Sequence, residues 1–290
     1  EVQNFVYNTI HDLLVKHPRI GYIKWDANHF ISNVGSTYLP DDKQSHLYIE
    51  YHRGLNKTLQ RIRKDHPDII MQACASGGGR VNYGYLPYFH EFWTSDVTDA
   101  VKRLYIQWGA SYFFPSLVLG SHVSPSPNHQ TGRLLPLKFR CDVAMTGRFG
   151  LEMQPKDLSE EDKERTKEAI KAYKSIRDIV QLGDQYRLLS PYNDLGLTST
   201  MFVTKGKSRA VVFAYSLKEN LGPKFPPVQL NGLNPLKKYK VEEINKIDPK
   251  GRGIPSEGKV FSGSFLMNVG LQMNLRGVYT SRAITLTEID

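Results

Sequence analysis

The segment Ile20-Gly21-Tyr22-Ile23-Lys24-Trp25-Asp26-Ala27-Asn28 joins a short apolar, β-prone run to a polar end. Its β-branched and aromatic residues, the His17-Pro18 break ahead of it and its brevity predict a buried strand over 20–26. Alternation along a strand places Lys24 on the same side as Asp26. Upstream, Val2, Phe5, Val6, Ile10, Leu13 and Leu14 recur at helical spacing, which predicts an amphipathic helix stopped at His17-Pro18. Downstream, residues 45–65 return to the helical period, with Leu47, Tyr51, Leu55, Leu59 and Ile62 on one face. A second strand over Asp68–Ala73 then runs into Ser76-Gly77-Gly78-Gly79-Arg80.

The same alternation continues. Strands are expected at Glu91–Ser95, Tyr112–Leu119 and Gly147–Met153, and helices at Asp99–Trp108, Leu134–Met145 and from Ser159 to Leu182. A polar loop covers Ser121–Thr131. Strand-then-helix units of roughly 30–40 residues imply parallel strands with crossover helices. The fold class is therefore α/β, with about five strands forming the C-terminal part of a (β/α)8 barrel. After Gln185 the texture changes to short strands at Thr198–Val203, Arg209–Ser216, Val228–Leu230, Lys238–Glu243, Val260–Gly263 and Ala283–Glu288. Turns such as Asn231-Gly232, Asn234-Pro235 and Pro249-Lys250-Gly251 separate them, the pattern of a small antiparallel β-sandwich. The expected boundaries are 1–184 for the partial barrel and 185–290 for the sandwich.

Bulk properties exclude several function classes. The 290 residues are 40% apolar and 23% charged, ordinary for a globular chain, and no run approaches the roughly eighteen apolar residues of a membrane span. The net charge of +9 comes from scattered Lys and Arg, not from a basic stripe with stacking aromatics, so neither nucleic acid nor membrane is expected as a partner. The chain opens Glu1-Val2-Gln3-Asn4-Phe5, without initiator Met or signal peptide, and reads as a processed chain or a piece of a longer one. Cys74 and Cys141 form neither a disulfide framework nor a zinc pattern, and the histidines, His122 and His129 included, show no metal spacing. The compartment is not encoded.

In parallel barrels, functional groups project from the C-terminal strand ends. Three polar clusters occupy such ends: Lys24 to Asn28, Cys74 to Arg80, and Trp93-Thr94-Ser95-Asp96. An isolated aspartate after a strand is commonly a helix cap or a turn residue. Two of them at alternate strands, with a glycine-rich loop on the strand between, point instead to a carboxylate pair in one pocket. Glycoside hydrolysis needs such a pair, one carboxylate ionised and one carboxyl holding a proton. Lys24 is placed to supply charge beside Asp26 and donors to sugar hydroxyls. Trp25 and Trp93 serve either as pocket walls or as strand packing. Ser76–Arg80 lacks the phosphate-loop and dinucleotide spacings, so its glycines allow a tight turn or close backbone approach to a ligand. Arg80 is a sugar contact or a structural ion-pair partner.

The three clusters, in this order, resemble the signatures of glycoside hydrolase family 36, which holds α-galactosidases. The family's K-W-D-x-N motif matches Lys24, Trp25, Asp26 and Asn28, which implies that Asp26 is the nucleophile. Its C-x-S-G-G-G-R loop matches Cys74 through Arg80, which implies that Cys74 and Gly77 line the galactose site. Its W-T-S-D-x-T-D-A motif matches Trp93 through Ala100, which implies that Asp96 is the acid/base; Asp99 is read as a helix cap or supporting group. The resemblance implies a retaining α-galactosidase acting on α-galactoside oligosaccharides, with carboxyl groups roughly 5–6 Å apart. Lys24, Trp25, Asn28 and Arg80 are the further substrate-binding candidates, and no metal or organic cofactor is needed. The family also contains α-N-acetylgalactosaminidases and galactosyl transferases, and a non-catalytic carbohydrate-binding remnant is a further alternative. Members carry an N-terminal β-domain and three barrel strands ahead of the nucleophile strand. The 290 residues alone are thus expected to hydrolyse little or nothing, and to associate with copies of themselves or with the missing N-terminal part through open barrel edges.

Overall fold

Residues 1–28, 32, 34–219, 225–246 and 253–289 are described by a computed structural model of the chain. It divides into two compact units, Glu1–Asp96 and Val97–Asp290.

In the first unit, three parallel strands follow one another: β1 (Tyr22–Asp26), β2 (Ile70–Cys74) and β3 (Glu91–Trp93). Two helices, α1 (Val2–Lys16) and α2 (His46–Asp65), flank β1 in sequence. Between β2 and β3 the crossover contains only a 3-10 turn, Tyr83–Tyr85. Alternation sorts β2 cleanly: Met71 and Ala73 lie on one face, Gln72 and Cys74 on the other, and all four are buried. The helices differ from the sequence expectation in what they cover. Within this unit α1 buries Tyr7 and Leu14, whereas Val2 and Phe5 are exposed. The close approach of α2 explains part of this, because a Cβ on Gly54 would sit 2.9 Å from the Gln3 side chain.

The second unit opens with α3 (Ala100–Ala110), then β4 (Leu119–Val123), α4 (Leu137–Ala144), β5 (Arg148–Leu151) and α5 (Glu160–Leu182). Strands β4 and β5 pair in parallel, in register from Gly120–Arg148 to Val123–Leu151. The expected strand Tyr112–Leu119 begins seven residues late. The backbone amides of Tyr112, Phe113 and Phe114 bond back to the carbonyls of Gly109 and Ala110, and Pro115 opens a 3-10 turn over Ser116–Val118. These bonds use the donors a strand needs, so the strand starts at Leu119 and takes in Ser121 and His122, which the sequence suggests are loop.

Helix α5 is capped as its sequence prescribes. The Ser159 side chain accepts from the Asp162 amide at 3.1 Å, Glu160, Glu161 and Asp162 occupy the first turn, and Gly183 follows the end. Its buried stripe includes Ala169, Tyr173, Ile176 and Val180. The stripe packs on an antiparallel sheet built from β6 (Asp184–Leu189), β7 (Leu197–Val203), β8 (Arg209–Ser216), β9 (Lys238–Ile244), β10 (Val260–Ser262) and β11 (Thr280–Ile289). The order is β10-β9-β11-β8-β7-β6. Period two divides this sheet between two cores: Val211, Phe213 and Tyr215 join α4 and α5, while Ala210, Val212 and Ala214 meet Leu230, Leu266 and Met273. Val228–Leu230, expected as a strand, contributes a single bridge, Val228 to Leu271. Strand β6 and a short helix α6 (Gly263–Asn268) are additional to the sequence expectation, and the turn Pro249-Lys250-Gly251 lies outside the described residues. Taken together, the elements are the expected α/β class: five parallel strands of the C-terminal part of a (β/α)8 barrel, then an antiparallel β domain.

Asp142 fastens α4 to the antiparallel sheet. Its buried carboxylate takes Lys138 Nζ at 2.7 Å, Asn245 Nδ2 at 2.6 Å and Ser281 Oγ at 2.7 Å, and its backbone carbonyl accepts from Tyr215 Oη at 2.8 Å. Replacing Asp142 by Ala leaves the 9%-exposed Lys138 ammonium without its counter-charge. A loss of about 3–5 kcal/mol is expected, measured as a lowered urea midpoint. A shift under about 0.5 kcal/mol, the size of an ordinary surface substitution, would show that the cluster is not a fastening point.

Candidate active site

Strand β1 sets the first two groups. Lys24 and Asp26 share its exposed face, and Ile23 and Trp25 the other. The parallel register places Lys24 beside Gln72 and Asp26 beside Cys74, and Gln72 in turn beside Glu91. One face of the three strands therefore carries Lys24, Asp26, Gln72, Cys74, Glu91 and Trp93, an unusually polar set for adjoining parallel strands.

The glycine-rich loop joins the ends of β1 and β3. On one side the Ala27 amide donates to the Cys74 carbonyl at 3.0 Å, and the Ser76 amide donates to Asn28 Oδ1 at 2.7 Å. On the other side the loop lies directly on the chain after β3. A Cβ on Gly77, whose φ is +77°, would come within 2.5 Å of Ser95 Cα and 2.7 Å of the Asp96 nitrogen. A Cβ on Gly78 would meet the Thr94 carbonyl oxygen at 2.6 Å. Only glycine permits both the left-handed backbone and this contact. The loop thus fixes the spacing between the two polar strand ends, a role in addition to the turn or ligand approach open from the sequence.

Both carboxylates are exposed. Asp96 is not the cap of the helix that follows; that position belongs to Asp99, whose Oδ1 accepts from the Lys102 amide at 3.0 Å and from Arg133 Nη1 at 2.6 Å. The helix-cap explanation open for Asp96 from sequence is thereby filled by another residue. The Lys24 ammonium sits 5.3 Å from the Trp93 ring centroid, a cation–π contact that draws the charge toward β3. Burial pushes the Cys74 thiol up to about 11, and the Asp26 carboxylate adds to this against the Gly77 amide and Lys24. At neutral pH the thiol is protonated, and Cys74 lies beside Asp26 across the strand pair.

Two candidates stand apart from the cluster. Trp25 points to the opposite face of β1 and packs edge-on against Phe89, with ring centroids 6.3 Å apart. Period two makes this unavoidable once Lys24 and Asp26 share the other face. Arg80 lies 5.8 Å from the Tyr51 ring of α2, so its placement is a stacking contact on a helix. Of the histidines, His122 belongs to β4 and His129 to the following loop, both in the second unit; His122 packs against Gly150, where a Cβ would meet its ring at 2.5 Å. Among the described residues, no group of three or more His, Cys, Asp or Glu side chains is placed to hold a metal.

The sequence reading passed over Glu91, which belongs to no motif. It is a buried carboxylate whose Oε1 accepts from Tyr22 Oη at 2.6 Å and from Gln72 Nε2 at 2.9 Å. A signal was present: Tyr22, Lys24 and Asp26 alternate on β1, Gln72 and Cys74 on β2, Glu91 and Trp93 on β3. A polar residue on one face of each adjacent strand marks a functional layer, and strand register is needed to see that the three coincide.

Comparisons with known proteins agree along the whole chain. The Melibiase family model matches residues 1–183, and the model of the glycosyl hydrolase family 36 C-terminal domain matches residues 197–286. Probable alpha-galactosidase G of Aspergillus terreus is 37% identical over 287 residues, 99% of this chain and 36% of that protein. Alpha-galactosidase AgaA of Geobacillus stearothermophilus is 36% identical over 276 residues, 95% of this chain and 36% of that protein. Among solved structures, the family 36 α-galactosidase AgaB of G. stearothermophilus superposes with a TM-score of 0.89 at 35% identity, covering 99% of this chain and 38% of that one. A variant of AgaA in complex with raffinose gives 0.90 at 34% identity, with the same coverage. The chain spans about 36% of the length of these curated relatives.

Proposed function

The chain belongs to glycosyl hydrolase family 36, and from that premise we propose that it carries the carboxylate pair of a retaining α-galactosidase. One observation carries the proposal: Asp26 ends β1 and Asp96 follows β3, alternate strands, with the Gly77 loop seated between them. We assign residues 1–184 to the catalytic barrel and 185–290 to the C-terminal domain.

The reaction proceeds by double displacement. The Asp26 carboxylate attacks the anomeric carbon as the glycosidic C–O bond breaks, and the Asp96 carboxyl gives its proton to the leaving oxygen. A galactosyl ester of Asp26 results. Asp96, now a carboxylate, takes a proton from water, whose oxygen displaces Asp26 and releases galactose in its original anomeric form. Cys74 lies beside the nucleophile and lines the sugar site, and Lys24 supplies donors and positive charge on the same face. Asn28 and Gly77 hold the loop that sets the spacing, with Gly77 also lining the sugar site.

Raffinose and stachyose are bound in structures of AgaA variants, and terminal α-galactose on such oligosaccharides is the proposed substrate class here. The test is the stereochemistry of the first product. Proton NMR of the full-length gene product acting on an aryl α-galactoside should show α-galactose first, with the β-anomer rising only by mutarotation. Initial β-galactose would mean inversion, and absence of turnover would remove the α-galactosidase reading.

A further inference from the structure

Lys24, Gln72 and Glu91 are consecutive cross-strand partners over β1, β2 and β3. They form the layer directly beneath Asp26 and Cys74. Gln72 is fully buried, and its amide is held by Glu91, which accepts from Nε2 at 2.9 Å. A carboxylate only accepts, so the amide must turn its nitrogen toward β3. Its oxygen is then directed away from Glu91. Oε1 has no hydrogen-bond partner among the described residues, which is rare for a buried carbonyl oxygen. Tyr22 donates to the same Glu91 oxygen at 2.6 Å and holds the carboxylate in place.

The residue beside Gln72 on the β1 side is Lys24, with three donors on a flexible stem. Its ammonium rests over Trp93 at 5.3 Å, above this layer. We infer that Glu91 and Gln72 are positioning residues for Lys24: Glu91 fixes the amide so that Gln72 Oε1 stays a free acceptor on the β1 side, the one the Lys24 ammonium takes up when the sugar is bound. This rests on the α-galactosidase reading above. Neither residue touches the reacting atoms. Glu91 acts through Gln72, and Gln72 through Lys24.

A double-mutant cycle in the full-length gene product tests it, with an aryl α-galactoside as substrate. Glu91→Met removes the acceptor and frees the amide to flip, so kcat/KM should fall by about tenfold or more, chiefly through KM. Glu91→Gln keeps a carbonyl that accepts both donors and should stay within about threefold of wild type. Lys24→Met alone should lower kcat/KM, and adding Glu91→Met should lower it by no more than about twofold further, because the relay then has no recipient. Gln72→Met should reproduce the Glu91→Met loss and its lack of effect beside Lys24→Met, which covers the case in which Glu91→Met fails to fold. Independent, multiplying losses would overturn the inference while leaving an active enzyme and its function reading intact. So would Glu91→Gln losing as much as Glu91→Met. A wild-type protein without turnover would remove both.

Discussion

Replacing Asp26 by Asn is expected to reduce turnover of any α-galactoside by on the order of 10⁴-fold or more, while galactose still binds. The argument is steric as well as chemical. Asn matches Asp in size and can keep its place as the last residue of β1, beside Cys74. The amide is neutral and close in shape to the carboxylate, so the layer beneath is expected to be unchanged. What disappears is the negative charge and the ability to form an ester with the anomeric carbon, on which the first displacement depends. Turnover by the full-length gene product and galactose affinity by calorimetry are to be measured together. Lost turnover with retained affinity assigns Asp26 to chemistry; lost affinity with it assigns a binding or folding role. Unchanged turnover would end the catalytic assignment.

The second large effect is expected at Asp96, and its size should depend on the leaving group. Asp96→Asn removes the proton donor needed when the departing oxygen is a poor leaving group, as in an oligosaccharide, so a loss of about 10²–10⁴-fold is expected there. A dinitrophenyl galactoside leaves without protonation, and its first step should be nearly unaffected. The galactosyl ester then accumulates, because water lacks its base, and a burst of released phenol should be seen. Azide needs no base to attack the ester; adding it should restore turnover and yield α-galactosyl azide. Equal losses for both substrates, with no azide effect, would show that Asp96 does not transfer the proton. That position in the cluster would then need another occupant.

The Cys74 thiol separates these two residues in character. It is neutral through the physiological range because burial holds it near 11, so it does not compete with Asp26 as a nucleophile. Cys141 is pushed higher, to about 12, by deeper burial beside Asp142, and it belongs to the core under the antiparallel sheet. The two cysteines are thus placed by different forces. One is held at a strand end facing a carboxylate, the other inside an apolar cluster.

The sequence by itself determined the strand-helix alternation, the two aspartates, and the glycine loop between them. Each is encoded locally: period two in Tyr22–Asp26, period 3.6 with a Ser159 cap in α5, and three short motifs at strand ends. Strand limits were less legible where backbone donors were diverted, as at Tyr112–Phe114, which close a turn after α3. The helix face of α1 was legible as a pattern, but which of its residues are covered depends on α2. Only the tertiary structure decided what lies next to what across strands. It packed Trp25 against Phe89 and took Arg80 to Tyr51. It also brought Tyr22, Gln72 and Glu91 together over separations of nineteen to sixty-nine residues. The physical reason is register: hydrogen bonding between parallel strands aligns residues remote in the chain, and no local pattern encodes that alignment.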